Sequence, residues 1–213
     1  QNIIGNTPLH VQYIPENIIS LLENKADYKI KNDENLTPYD FHFKRNNLYI
    51  ANIIERYSSA KIIIELIKAG KKVGVTSNSH EAIKTLLIAI EQQAKSQDFE
   101  FSGMRKAKSS DKYDWNFIKD VTTSKPLDME DYSLYAGTSW FFVDPRMNKT
   151  LDYLFIDEAG QVALGTTIAN ATSAKNLILI GDQMQLSQPM RAKHEGYARM
   201  SSLDFILENE DTI

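Results

Sequence analysis

Residues 154–161, read as Leu154-Phe155-Ile156-Asp157-Glu158-Ala159-Gly160-Gln161, decide how this chain is understood. The three apolar residues form a run of the kind that makes a buried strand, and the run stops at two adjacent carboxylates. Nucleotide hydrolysis needs such a pair. One carboxylate helps to hold Mg2+, and the second orients or deprotonates the attacking water. Asp and Glu are also favoured at the solvated start of a helix, so the pair alone leaves both readings open.

Outward from this stretch the same design repeats. SLYAGTSWFF (133–142), DYLFIDEAG (152–160) and NLILIGDQ (176–183) each carry an apolar run that stops at Gly, Asp or Thr. KKVGVTS (71–77) reads as another buried strand, and HEAIKTLLIAIEQQAK (80–95) places Ile83, Leu86, Leu87 and Ile90 on one helical face. KIIIELIKAG (61–70) reads as a short helix closed by Gly70. Strands alternating with helices from Ala60 onward predict an α/β fold with a mainly parallel sheet, whose ligands bind beyond the carboxyl ends of the strands. The polar stretch from Asp98 to Asp131 reads as an exposed excursion with an edge strand at FEFSGMR (99–105). Trp140, beside Phe141 and Phe142, reads as a core residue, with base stacking as the other use of such a ring.

Residues before Ala60 have a different rhythm. GNTPLH (5–10) and NLTPYDF (35–41) place Thr-Pro pairs 30 residues apart, with a helix and a polar turn between them. Thr7 and Thr37 suit N-caps, and Pro8 and Pro38 suit first helical positions. Ile18, Ile19, Leu21 and Leu22 then make an apolar face that stacked repeats would bury.

DEAGQ followed about 20 residues later by GDQMQL resembles motifs II and III of superfamily 1 helicases. TSNSHEAI (76–83) looks like motif Ia, GTSW (137–140) lies where that family places a further strand-contacting loop, and MSSLDFIL (200–207) is similar to the helix after motif III in relatives of the nonsense-mediated-decay and senataxin type. The resemblance implies an incomplete RecA-like P-loop NTPase sheet over residues 58–213. It implies ATP and Mg2+ as cofactors, with Asp157 reaching Mg2+ through water and Glu158 and Asp157 as catalytic carboxylates. Gln185 would sense the gamma-phosphate, with Asp182 linking the nucleotide and nucleic-acid sites and Gly181 beside them. Thr76, Ser77, Asn78, Gly137 and Thr138 would contact single-stranded DNA or RNA. TPLH and the ADYKIKNDENLTP turn resemble ankyrin repeats, implying an all-α protein-binding segment over residues 1–57 whose partner is unknown.

One departure governs the expected activity. The phosphate-binding pattern GxxxxGKS/T is absent, and YIANIIER (49–56) stands where the family carries it. Glycine-freed N–H groups and a lysine hold the phosphates in that loop. The expectation is therefore a truncated, degenerate helicase core, inactive alone, whose missing strand leaves apolar sheet edges unpaired. The alternative is an ankyrin-type binding module with a vestigial α/β part.

Composition fits these readings without choosing between them. A net charge of -4 across 213 residues neither supports nor excludes a nucleic-acid ligand. The absence of cysteine excludes disulfides and thiolate chemistry, and the four histidines have no metal-ligand spacing. No apolar run approaches a membrane span, so a cytoplasmic protein with no membrane partner is expected. The chain begins at Gln1, as a piece of a longer product would.

Overall fold

The computed structural model describes residues 5–12, 15–24, 26–45, 47–108, 110–122, 131–181 and 200–209. It divides into two compact units, Gln1–Ile64 with Leu86–Phe99, and Glu65–Thr85 with Glu100–Ile213. No helix among the described residues is long and apolar enough to cross a membrane.

The first unit is helical. It contains α1 (Pro8–Val11), α2 (Pro15–Glu23), α3 (Pro38–Lys44) and the first part of α4 (Leu48–Lys68). Thr7 and Thr37 are N-caps with extended backbone, each followed by proline at the first turn. Asp40 closes a capping box, its carboxylate accepting from the Thr37 N–H at 3.0 Å while Thr37 Oγ1 accepts from the Asp40 N–H at 3.2 Å. Leu9, Ile18, Leu22 and Ile54 form the buried core, with Tyr28, Tyr39 and Tyr57 around it.

Two buried histidines bind this unit across long sequence separations. His10 Nδ1 accepts from the Thr7 N–H at 3.1 Å, so the proton sits on Nε2, which donates to the Leu36 carbonyl at 2.9 Å. His42 Nε2 donates to the Leu9 carbonyl at 2.8 Å. Phe41 meets both imidazoles edge to face. Asn32, also buried, donates to Asn6 Oδ1 at 2.7 Å and accepts from the Leu36 N–H at 3.0 Å, so the polar turn before α3 is built from satisfied side chains.

Helix α4 corrects one expectation. KIIIELIKAG is the end of a 21-residue helix, because nothing from Leu48 to Lys68 breaks the backbone and Ser58 Oγ simply donates back to the Ile54 carbonyl at 2.9 Å. Gly70 closes the helix as expected: its φ is 72°, and Lys71 donates to the Leu66 carbonyl at 3.0 Å.

Among the described residues the second unit holds six parallel strands in the order β3-β2-β4-β1-β5-β6. These are β1 (Val73–Thr76), β2 (Gly103–Ala107), β3 (Ile118–Thr122), β4 (Leu134–Ala136), β5 (Leu151–Ile156) and β6 (Ala174–Leu179). Helix α5 (His80–Ser96) follows β1, α6 (Ser139–Phe142) follows β4, α7 (Leu164–Ala171) joins β5 to β6, and α8 (Ser202–Asn209) comes last. Phe142, Met147, Leu151, Leu154 and Ile156 anchor its core. Gly74 leaves room for that core: a Cβ there would lie 2.5 Å from Leu151 Cδ1 and 2.9 Å from Phe142 Cε1.

FEFSGMR is not an edge. It leads into β2, which lies between β3 and β4 and is buried at Gly103, Met104, Arg105 and Ala107. The polar pattern misleads because Arg105 on β2 and Asp120 on β3 sit opposite each other and neutralise one another inside the sheet. Among the described residues the edges are β3 and β6, and Leu177 on β6 is 36% exposed.

Candidate functional site

Parallel strands place all their carboxyl ends on one side, and ligand crevices form where neighbouring strands send their connections in opposite directions. Strands β1 and β5 are such a pair. From β1 the chain runs through α5 to β2 on one side, and from β5 through α7 to β6 on the other. Register places Thr76 opposite Ile156, so Ser77 and Asp157 are the first residues beyond the paired strands. The residues that sequence reading selects here, Thr76, Ser77, Asn78, Asp157 and Glu158, therefore come together at the switch point.

Hydrogen bonds fix this arrangement. The Asp157 N–H donates to the Thr76 carbonyl at 2.8 Å, and Asp157 Oδ1 accepts from the Glu158 N–H at 3.0 Å. Glu158 has φ 57°, a left-handed conformation uncommon for a residue with a side chain. Its carboxylate accepts from Ser77 Oγ at 3.3 Å. Asn78 Nδ2 donates to the Gln161 carbonyl at 2.8 Å. Thr76 and Ser77 are buried, while Asn78 and Glu158 are half-buried, so the last two present the polar surface of the crevice.

On the other side of β1, Gly137 donates to the Val75 carbonyl at 3.1 Å and brings the loop after β4 to the same end. A Cβ at Gly137 would lie 2.9 Å from the Phe141 ring, so the glycine also admits core packing. Thr138 caps α6, and Asn170 of α7 donates to Ser139 Oγ at 3.0 Å. Trp140 is not in the core. It is 85% exposed, because this single helical turn directs Phe141 and Phe142 inward and leaves Trp140 on the opposite face. The core expectation fails here, and the signal available was the spacing within SWFF.

Gly181 follows β6 with φ 146°, and a Cβ there would lie 2.9 Å from the Ala159 backbone nitrogen. The glycine permits the end of β6 to pass close over the Glu158–Gly160 backbone. Asp182 and Gln185 lie outside the described residues.

Among the described residues no group of three or more His, Asp or Glu side chains could hold a metal. Asp157 is 3% exposed, and the buried Thr76 Oγ1 has no hydrogen-bond partner among the described residues. The register sends the Thr76 and Asp157 side chains to opposite faces of the sheet, so Asp157 alone would meet Mg2+, as a single carboxylate does where phosphate oxygens and water complete the shell. No protein-family model and no curated protein sequence matches this chain.

Proposed function

We propose that the α/β unit is a helicase-derived, RecA-like domain that binds single-stranded nucleic acid at the carboxyl ends of β1 and β4 and does not hydrolyse ATP on its own. The observation that carries this reading is the meeting of TSN, GTS and DEAGQ at three adjacent strand ends around the switch point. Asn78, the backbone at Gly137 and Thr138, and the exposed Trp140 supply the polar and aromatic surface that a single strand requires. Asp157 and Glu158 stand where a nucleotide's metal and attacking water would lie. The inactivity follows from α4: residues 49–56 lie within a continuous helix, whose N–H groups from Ala51 onward are committed to its own ladder, and the stretch has neither the glycines nor the lysine that cradle phosphates.

The alternative reading is an ankyrin-type protein-binding module, with the α/β part vestigial. The observation favouring it is the repeated Thr-Pro cap together with the two long-range histidine bonds, His10 to Leu36 and His42 to Leu9.

The test is fluorescence anisotropy of a labelled single strand across a salt series, alongside binding of a fluorescent ATP analogue with Mg2+ to the chain and to Asp157→Ala. Tight, steeply salt-dependent strand binding with no ATP turnover is the expected result. Turnover that disappears in Glu158→Gln would overturn the claim of inactivity. A folded chain that ignores single strands would leave the helical surface as the remaining activity.

A further inference from the structure

Between β2 and β3 the loop 110–117 stacks two aromatic rings between a cation on β2 and a cation on α5, a column that nothing in the crevice uses. At its base Arg105, 1% exposed, donates from Nε to Asp120 Oδ1 at 2.7 Å and from Nη2 to Asp120 Oδ2 at 3.1 Å. The Arg105 guanidinium lies 5.2 Å from the centroid of the Trp115 ring. Trp115 in turn packs on Tyr113 with centroids 4.4 Å apart. Lys84 Nζ, from the first turns of α5, is 5.2 Å from the Tyr113 centroid.

The lower part of the column is fixed. Asp120 accepts from Trp115 Nε1 at 3.1 Å and from the Tyr113 backbone N–H at 2.9 Å, so one buried carboxylate orients the arginine and both aromatic residues. The upper part is open. Tyr113 is 42% exposed, and its outermost neighbour is the end of a flexible lysine. The surroundings carry both signs, with Lys84, Lys108 and Lys112 facing Asp111 and Asp114, and Asp111 also pairs with Arg105 Nη1 at 3.4 Å. His80 lies within the field of Lys108 and Arg105, opposed by Asp111, and its pKa is lowered by burial first and by the Lys108 charge next. Lys112 is exposed on the same loop, with Asp114 the acid between it and Trp115. His80 is two residues beyond Asn78 in sequence, and the loop leaves β2 at the same carboxyl-terminal side of the parallel sheet as the crevice.

We propose that Tyr113, backed by Trp115, is a stacking platform for one base of a single-stranded nucleic acid, and that Lys84 leaves the ring to pair with the adjoining phosphate as the base takes its place. This rests on the single-strand reading above and extends its path across the β2–β3 loop. Stacking on an aromatic ring outweighs an exposed cation–ring contact, and the displaced lysine recovers its interaction at the phosphate. In a single strand the bases can stack on the ring while the phosphates meet the lysines.

The experiment measures affinity for a fluorescein-labelled oligothymidylate and for an abasic strand of equal length, using the full chain. The proteins are wild type, Tyr113→Ala, Tyr113→Phe, Lys84→Gln and Asn78→Ala, each shown to be folded by circular dichroism. Tyr113→Ala is expected to weaken oligothymidylate binding at least about fivefold, to lose the preference over the abasic strand, and to keep the salt slope. Tyr113→Phe retains binding, and Lys84→Gln flattens the salt slope by about one. Wild-type affinity in Tyr113→Ala with weakened binding in Asn78→Ala overturns the platform and leaves the crevice reading standing. Equal wild-type affinity for the two strands also overturns it. No binding by the folded wild type overturns both.

Discussion

Ser77 Oγ donates to Glu158 Oε2 over 3.3 Å, joining the end of β1 to the left-handed residue just beyond β5. The bond links two stretches that are 81 residues apart in sequence, and it engages the half-buried Glu158 carboxylate. In this state Glu158 is held as a structural acceptor.

That coupling is measurable. A double-mutant cycle of Ser77→Ala and Glu158→Ala, read by urea denaturation, should give an interaction of about 1 kcal/mol, since a side-chain bond to a half-buried carboxylate contributes on that order. Additive single effects would show that the two groups do not interact in solution.

Gly181→Ala should destabilise the α/β unit by about 1–3 kcal/mol, because its φ of 146° suits only glycine and the new methyl would press on the Ala159 backbone. The damage should reach the Asp157–Gln161 turn first. Hydrogen exchange should therefore accelerate at the Ala159 amide, which donates to the Ile180 carbonyl, before it does in β1. Uniform acceleration would locate the strain elsewhere.

Much of the α/β unit is legible in the sequence, since Val73–Val75, Leu154–Ile156 and Leu177–Leu179 are apolar runs that stop just before polar residues or glycine, and those ends are where the candidate site gathers. What sequence hides is pairing at a distance. Arg105 and Asp120 look like solvent-facing charges until β2 and β3 align them, and Gly103–Arg105 at the end of FEFSGMR then become interior. Trp140 fails for a related reason: hydrophobicity argues for burial, but a helical turn of four residues has room to bury only Phe141 and Phe142.

The Arg105–Asp120 pair gives the largest expected stability effect. Asp120→Ala would leave a buried guanidinium without its main acceptor, at a cost of about 3–5 kcal/mol. Replacing both partners, as in Arg105→Met with Asp120→Leu, should restore much of that loss, because no uncompensated charge remains. A thermal-unfolding comparison decides it: a double variant as unstable as Asp120→Ala would mean that the loss comes from packing.

His42 makes the helical unit sensitive to acid. Its pKa lies below the ordinary histidine value of about 6.5, first because burial disfavours the cation and then through the charges of His10 and Arg45, against a raising contribution from the bond to Leu9. The unfolded chain therefore binds a proton at His42 more readily than the folded chain does. By linkage, this contribution is fully present above about pH 6.5 and is lost as pH falls toward the depressed value, at no more than about 1.4 kcal/mol per pH unit. Both tryptophans lie in the α/β unit, so the change is best followed by hydrogen exchange at the amides of α1 and α3, corrected for intrinsic rates. Protection there should fall between pH 7 and pH 5 in the wild type and vary less in His42→Gln, whose side chain can still donate to the Leu9 carbonyl. An equal loss in the variant would assign the acid sensitivity to other groups.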